Sequence, residues 1–176
     1  LYSAFTAFLG FEVNEGEYKV MGMAPYGQPK YQDKVYKLVN VQNDGSFQLD
    51  MDYFSYHYSD SQTFNGQFVK LFGEPRDSKL EFITQLTNAN VSGQETDVIR
   101  NQYYADVAAS IQRVTEDILL KMANHLYKET GLKKLCIAGG VALNSVANGR
   151  ILRETLFEDL FIHPAPGDSG WAVGAA

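Results

Sequence analysis

Two glycine-rich turns carry the residues of this sequence that are best suited to binding a ligand. The first turn, Gly139-Gly140, follows the apolar run 135–138 and leads to Asn144. The second turn contains Asp168 and follows the apolar run 160–162. Glycine lets a ligand approach the backbone closely, and the free N–H groups at the start of a following helix attract anions. Both turns are therefore candidates for a ligand site.

Each turn by itself also fits a plain connection between a strand and a helix. Asn144 and Ser145 are good helix-capping residues, and Asp168 is another candidate for the same structural role. Two such turns in succession favour a ligand site. If the two strands are parallel neighbours, both turns open at the same edge of one sheet, where open α/β folds bind ligands.

Composition narrows the class of protein. The 176 residues are 45% hydrophobic, which is enough for a globular domain with a proper core. The net charge of -6 argues against nonspecific binding to nucleic acid or to anionic membranes. The sequence shows no signal peptide and no apolar run that could span a bilayer. The lone Cys136 is predicted to be buried, and a cytoplasmic, reducing compartment is expected.

The ends of the sequence indicate a piece of a longer protein. The chain does not start with Met, and it stops inside the predicted helix 171–176. We therefore expect residues 1–176 to form a single domain cut from a longer chain, and any site within it to be incomplete.

The elements that must position the turns follow from hydrophobic periodicity. The clearest is a helix over residues 102–130, whose apolar residues recur at three- and four-residue steps before Gly131. Asp44-Gly45 between the β-prone runs 35–41 and 46–50 predicts a hairpin. Shorter segments complete the prediction: helices over 1–11, 18–24 and 64–71, a strand or packed loop over 53–59, and a loop over 88–96. The fold class predicted is α/β, with a mixed sheet (an antiparallel hairpin plus parallel βαβ units) and flanking helices.

Three polar positions keep alternative interpretations. Glu17 and Lys19 are either a solvated pair at a helix start or residues that face a ligand. Arg76, which follows Pro75, is either a surface charge or a residue that reaches a phosphate or carboxylate. His163 is the one histidine close to the second turn.

Three blocks of this sequence together carry a family resemblance. The first is Gly-Glu-Tyr-Lys-Val-Met-Gly-Met-Ala-Pro-Tyr-Gly at 16–27, and the second is Ala-Gly-Gly-Val-Ala-Leu-Asn at 138–144, followed by Ala-Asn-Gly-Arg at 147–150. The third is Pro-Ala-Pro-Gly-Asp-Ser-Gly-Trp-Ala-Val-Gly-Ala-Ala at 164–176, and Phe-Gly-Glu-Pro-Arg at 72–76 also fits. In this order they resemble the O-carbamoyltransferases of the NodU/CmcH type.

The resemblance implies the second half of a ribonuclease-H-like, actin-like ATPase module related to the threonylcarbamoyl transferases of tRNA modification. In such enzymes a C-terminal domain makes carbamoyl-adenylate from ATP and carbamoyl phosphate. The actin-like domain then transfers the carbamoyl group to an acceptor hydroxyl on a small molecule, with a divalent metal, usually iron, at the adenylate. The missing N-terminal half and the adenylate-forming domain of the same chain are the implied partners.

The resemblance also implies roles for individual residues. Asp168 matches a carboxylate that ligates the metal. Asn144 and Gly139-Gly140 match a turn that contacts the nucleotide, and Gly16 with Glu17 matches a turn that approaches the ribose and base. Lys19 lies in the same block without an assigned role. Because catalytic metal sites usually need about three protein ligands, the remaining ligands are expected outside this segment, and the isolated segment is expected to be inactive.

Two other classes of protein remain open at this stage. One is a sugar-kinase-like or chaperone-like ATPase of the same superfamily, which the paired strand–turn–helix edges fit equally well. The block at 16–27 favours the carbamoyltransferase over that alternative. The other is a non-catalytic binding domain that keeps the core and has lost the site, against which Asn144 and Asp168 argue only weakly.

Overall fold

The computed structural model describes residues 1–87 and 95–175 of the chain. These residues form a mixed α/β structure that divides into two compact units. The first unit holds residues 1–40 and 47–114, and the second holds residues 41–46 and the chain from Thr115 onwards. The prediction of a single domain stays a prediction.

The first unit is built on helices around a cluster of phenylalanines. Its helices are α1 (Tyr2–Phe8), α2 (Glu17–Met23), α3 (Gln32–Val35) and α4 (Gly66–Phe72), with 3-10 turns at Ala24–Tyr26 and Met51–Tyr53. The rings of Phe5, Phe68 and Phe72 are packed with centroids 4.8 to 5.1 Å apart. Phe8 and Phe54 are also fully buried. Aromatic side chains bury about 150–250 Å² each, so this cluster is a large part of the core of this unit.

The predicted hairpin is present but shorter than expected. Strands β1 (Val39–Val41) and β2 (Phe47–Leu49) pair around the Asp44-Gly45 turn, where Gly45 has φ +86°. The prediction of a strand from residue 35 was wrong, because Val35 lies in α3. Val35 and Leu38 are both fully buried, and this three-residue spacing suits a helical turn and not the two-residue period of a strand. Residues 53–59 form turns, with an isolated bridge between Phe54 and Phe64.

The long helix is α5 (Glu95–Thr130), and it contributes residues to both units. It ends as predicted at Gly131, which has φ +64°, but it begins earlier than predicted. Glu95 and Thr96 are helical and not part of a loop, and residues 88–94 of that predicted loop lie outside the described residues. Glu95 and Asp97 stabilise the first turn through the helix dipole. Within the two described ranges, no helix is both long enough and apolar enough to cross a bilayer.

The second unit contains the parallel strand pair on which the site prediction depends. Strand β3 (Lys134–Ile137) pairs with β4 (Asp159–Ile162), and α6 (Ser145–Glu154) connects them, followed by α7 (Trp171–Ala175). Leu135, Ile151 and Phe157 form its core together with Ala123 of α5. The parallel βαβ unit confirms that part of the predicted α/β class, whereas the actin-like fold stays a prediction.

The prediction that Cys136 is buried was wrong. It is exposed, as is its partner in the strand register, Phe161. Successive side chains of a strand point to opposite faces, so burial of Leu135 places Cys136 on the other face.

Candidate functional site

The two turns predicted to carry a ligand site are in direct contact. The backbone N–H of Gly139 donates a hydrogen bond of 2.7 Å to the carbonyl of Pro166. A Cβ atom built on Gly167 would lie 3.7 Å from the Cα of Gly140. Because β3 and β4 are parallel and in register, both turns emerge at the same sheet edge. We call residues 138–144 and 163–170 together the two-turn rim.

The structure requires a glycine at position 139 but not at position 140. Gly139 has φ +97°, a backbone conformation that side chains with a Cβ rarely adopt. Gly140 has no such φ, and a Cβ built on it would meet nothing within 4 Å. Packing within the described chain therefore gives no reason for a glycine at position 140, whereas close approach of a ligand would.

Asn144 caps α6, which is the structural one of the two roles predicted for it, the other being contact with a ligand. Its Oδ1 accepts the backbone N–H of Ala147 at 3.1 Å, which satisfies one free donor of the first helical turn. From the same helix, Asn148 Nδ2 donates to the carbonyl of Ala142 at 2.7 Å and holds the 3-10 turn Gly140–Leu143 against α6. The remainder of the 3-10 turn Gly140–Leu143, together with Asn144, separates the glycine pair from the N-terminus of this ten-residue helix.

Asp168 lies on the second turn, at the start of the 3-10 turn Asp168–Gly170, and it is exposed. Nearby, the backbone N–H of Ala165 donates to His163 Nδ1 at 3.1 Å, so this ring nitrogen takes part in holding the turn. In residues 1–87 and 95–175, no group of three or more His, Cys, Asp or Glu side chains is arranged to hold a metal ion. The metal-ligand role of Asp168 therefore stays a prediction.

Gly16 and Glu17 lie in the first unit, at the start of α2. Gly16 is buried, and a Cβ on it would approach the Glu12 carbonyl oxygen and the Phe11 Cβ to 2.7 Å each, so packing alone requires this glycine. Glu17 Oε1 accepts the backbone N–H of Asn14 at 3.0 Å, a local bond that fits the structural interpretation of Glu17. Their predicted contacts with a ribose and base stay a prediction.

The sequence analysis missed an ion-pair network that joins α6 to α5 and is centred on the largely buried side chain of Arg150. Arg150 of α6 donates from Nη1 to Glu116 at 2.7 Å and to Asp117 at 3.2 Å, both on α5. Its Nε and Nη2 bind the two carboxylate oxygens of Glu154 at 2.7 and 2.8 Å. These hydrogen bonds, led by that of Glu154, raise the pKa of Arg150 above its already high ordinary value. The four-residue spacing of Arg150 and Glu154 could have predicted their ion pair within α6. The pairing of Arg150 with residues of α5 depends on tertiary packing and could not be predicted from the sequence.

The comparisons with known proteins identify the family. A family model described as the carbamoyltransferase N-terminus matches residues 1–176. The chain therefore belongs to the carbamoyltransferase family, as part of its N-terminal region, and this confirms the resemblance carried by the three sequence blocks.

Individual relatives agree with this assignment. The chain is 49% identical over its whole length to an uncharacterized protein of Synechocystis, and 32% identical over 91% of its length to the nodulation protein NolO of Bradyrhizobium diazoefficiens. It covers 26% and 24% of those two proteins, so it spans about a quarter of the length of these relatives. It is also 29% identical, over 82% of its length, to a tRNA N6-adenosine threonylcarbamoyltransferase of Listeria innocua, of which it covers 42%.

Proposed function

We propose that this chain is part of an enzyme that transfers a carbamoyl group from carbamoyl-adenylate to the hydroxyl of a small acceptor molecule. In this proposal the two-turn rim belongs to an actin-like domain and binds the nucleotide part of the donor. The observation that carries the proposal is the bond between Gly139 N–H and the Pro166 carbonyl. It joins the turn suited to a nucleotide and the turn that bears Asp168 within a chain of the carbamoyltransferase family.

The roles proposed for the rim follow from its chemistry. Open space in front of Gly140 admits the nucleotide to the backbone, and the N-terminus of α6 favours its negatively charged phosphate. Gly16 and Glu17 are proposed to approach the ribose and base. Asp168 is exposed at the rim, and a carboxylate there fits one ligand of a divalent metal, iron being the expected one. When bound, such a metal would neutralise the phosphate and polarise the carbamoyl carbonyl.

An assay of the full-length protein with ATP and carbamoyl phosphate tests the reaction. Release of pyrophosphate that depends on carbamoyl phosphate supports the proposal. Phosphorylation of a sugar, or ATP hydrolysis without carbamoyl phosphate, would instead support a kinase-like or chaperone-like ATPase of the same superfamily. The acceptor is then sought as the hydroxyl compound that becomes carbamoylated.

Substitution of Asp168 tests the role of the rim. Asp168→Ala in the full-length protein is expected to abolish carbamoyl transfer without lowering the free energy of unfolding, because the side chain is exposed. The matched control is Asp159→Ala, which removes the same charge from an exposed residue that forms an ion pair with the exposed Lys134. If transfer survives Asp168→Ala, the metal-ligand role is wrong. Loss of transfer in the control as well would assign the effect to the charge change and not to the site.

The glycine pair allows a second test. Gly140→Ala is expected to leave the free energy of unfolding unchanged, since its Cβ meets no atom, and to weaken nucleotide binding by occupying the ligand's space. Gly66→Ala is the control, because Gly66 also has open space around it but lies in α4. Equal nucleotide affinity of the Gly140→Ala and wild-type proteins would exclude close approach of the ligand at this turn.

The isolated segment is proposed to be inactive and to bind metal weakly or not at all. Three protein ligands are typical of catalytic metal sites, and Asp168 supplies one. Isothermal titration of residues 1–176 with a divalent metal and with ATP tests this. Tight binding of either to the isolated segment would contradict it.

A further inference from the structure

Arg76 in the first unit is a buried cation in apolar surroundings. Only 7% of its surface is exposed. Its guanidinium carbon lies 6.0 Å from the ring centres of both Phe11 and Phe82. Burial lowers the pKa of Arg76 below its ordinary value. These two rings give some cation–π stabilisation, but they offer no hydrogen-bond acceptor.

The hydrogen bonds of Arg76 are incomplete. Nη2 donates to the backbone carbonyl of Leu80, while Nε is buried and has no hydrogen-bond partner. Among the described residues no carboxylate forms an ion pair with Arg76, and Asp77 influences it only at longer range. Buried charges in proteins are normally paired, since an unpaired one loses its hydration without compensation. Arg76 therefore has the features of a residue whose anionic partner lies outside the described residues.

The geometry of the guanidinium indicates which kind of anion fits. Nε and Nη2 form one edge of the planar group, the edge that binds two oxygens of a phosphate or carboxylate at once. In this structure Nη2 donates to the neutral carbonyl oxygen of Leu80, and Nε has no hydrogen-bond partner. A ligand oxyanion that displaces the Leu80 carbonyl would satisfy both donors with charge-assisted bonds.

A second cation lies near the same ring. Lys19 Nζ is 5.9 Å from the centre of the Phe11 ring, and no carboxylate partner of this ammonium is found in the described part of the chain. Lys19 and Arg76 thus place two positive charges around one phenylalanine. Two cations favour a doubly charged phosphate group over a singly charged carboxylate, since the Coulomb attraction grows with the charge of the ligand.

We propose that Arg76 is the principal residue of a phosphate-binding site, in which its Nε and Nη2 bind two oxygens of a phosphate group and Lys19 adds a second positive charge. The Leu80 carbonyl, on the segment that follows Arg76, is the acceptor that the phosphate would replace at Nη2. The site is distinct from the residues assigned to the two-turn rim, and it does not depend on the proposed reaction, because phosphate binding is measured directly.

Titration of the full-length protein with inorganic phosphate, at ionic strength matched with sodium chloride, tests the proposal. Arg76→Met is expected to weaken a phosphate-binding event at least about tenfold, since it removes two charge-assisted hydrogen bonds. Lys19→Met, which removes only the second charge, is expected to weaken it about two- to threefold. Lys79→Met removes the same charge from an exposed lysine three residues away and is expected to change nothing.

Arg76→Lys keeps the positive charge and removes the two-donor edge, so it decides the question if Arg76→Met fails to fold. A loss of phosphate affinity in Arg76→Lys, with unchanged phosphate affinity in Lys79→Met, supports the site. Parallel titrations with ATP and carbamoyl phosphate show whether the phosphate belongs to a nucleotide or to an acyl phosphate.

A direct observation at Nε completes the test. In protein labelled with ¹⁵N-arginine, the Arg76 Nε–H resonance is identified by its absence from Arg76→Lys, and it is expected to shift as phosphate is added. A resonance that does not move, or Arg76 variants that bind phosphate as the wild type does, would overturn the proposal. In that case a carboxylate from the rest of the full-length chain becomes the partner to seek, and the reaction under "Proposed function" is unaffected.

Discussion

Replacement of Arg150 by Met is expected to lower the free energy of unfolding by about 3 kcal/mol. Removal of one partner from a buried ion pair costs roughly 3–5 kcal/mol, because the other charge stays buried and uncompensated. The side chains of Arg150 and Glu116 are only 11% and 8% exposed, so the buried Glu116 carboxylate would lose this ion-pair partner. Asp117 and Glu154 are 27% and 45% exposed and would regain water, which places the expected loss at the lower end of the range.

Urea denaturation of the full-length protein, followed by circular dichroism, measures the loss. Hydrogen exchange over α6 shows whether the loss is local to that helix. Glu154→Gln is the control, because it breaks the more exposed pair of Arg150 with a residue four positions along the helix. Such exposed pairs contribute about 0.5 kcal/mol or less, so the control is expected to remain close to the wild type.

A double variant distinguishes two causes of the lower stability, namely the loss of the ion pair and the loss of hydrocarbon packing by the Arg150 side chain. If the loss arises because the buried Glu116 carboxylate no longer has Arg150 as its ion-pair partner, Arg150→Met combined with Glu116→Gln should be more stable than Arg150→Met alone. A double variant as unstable as the sum of the two single losses would refute this reasoning, and the effect would then belong to the lost hydrocarbon of Arg150.

Two further predictions rest on backbone contact and on burial. Gly27→Ala is expected to destabilise the protein by about 1–3 kcal/mol in thermal unfolding, since its Cβ would lie 2.1 Å from the Ala105 carbonyl oxygen. Gly22→Ala, whose Cβ meets nothing within 4 Å, is the control in the same measurement. Burial raises the pKa of Tyr103 from 10.0 to about 12, and its hydroxyl donates to the Phe72 carbonyl. Its contribution to stability is therefore complete below pH 10 and is lost as the pH rises towards 12, and Tyr103→Phe is expected to flatten this decline in the free energy of unfolding.

The parts of the fold that could be predicted are those set by local pattern. The apolar steps of residues 102–130 and the glycine at 131 gave the long helix and its end, because helix periodicity and a positive-φ terminator are both local signals. The cap at Asn144 and the parallel pairing of β3 with β4 were predictable for the same reason. The contact between the two turns followed from that parallel pairing.

The parts that could not be predicted depend on tertiary packing. Val35 has strong β propensity, yet it is buried as the last residue of α3, since packing overrides local preference. Cys136 lies in an apolar strand of the sequence, but its exposure depends on which face of that strand packs against the core. Arg76 and Arg150 are plain charged residues in the sequence, and their burial becomes visible only in three dimensions.

The hydrogen bond between Gly139 and Pro166 makes the two-turn rim a preorganised surface. Together with the Asn148–Ala142 contact, it fixes the backbone of both turns before any ligand arrives. Ordering a mobile backbone costs about 1–2 kcal/mol per residue, and a ligand that meets an already ordered rim avoids that entropic penalty. Association at this rim should therefore be fast, with little conformational rearrangement to slow it.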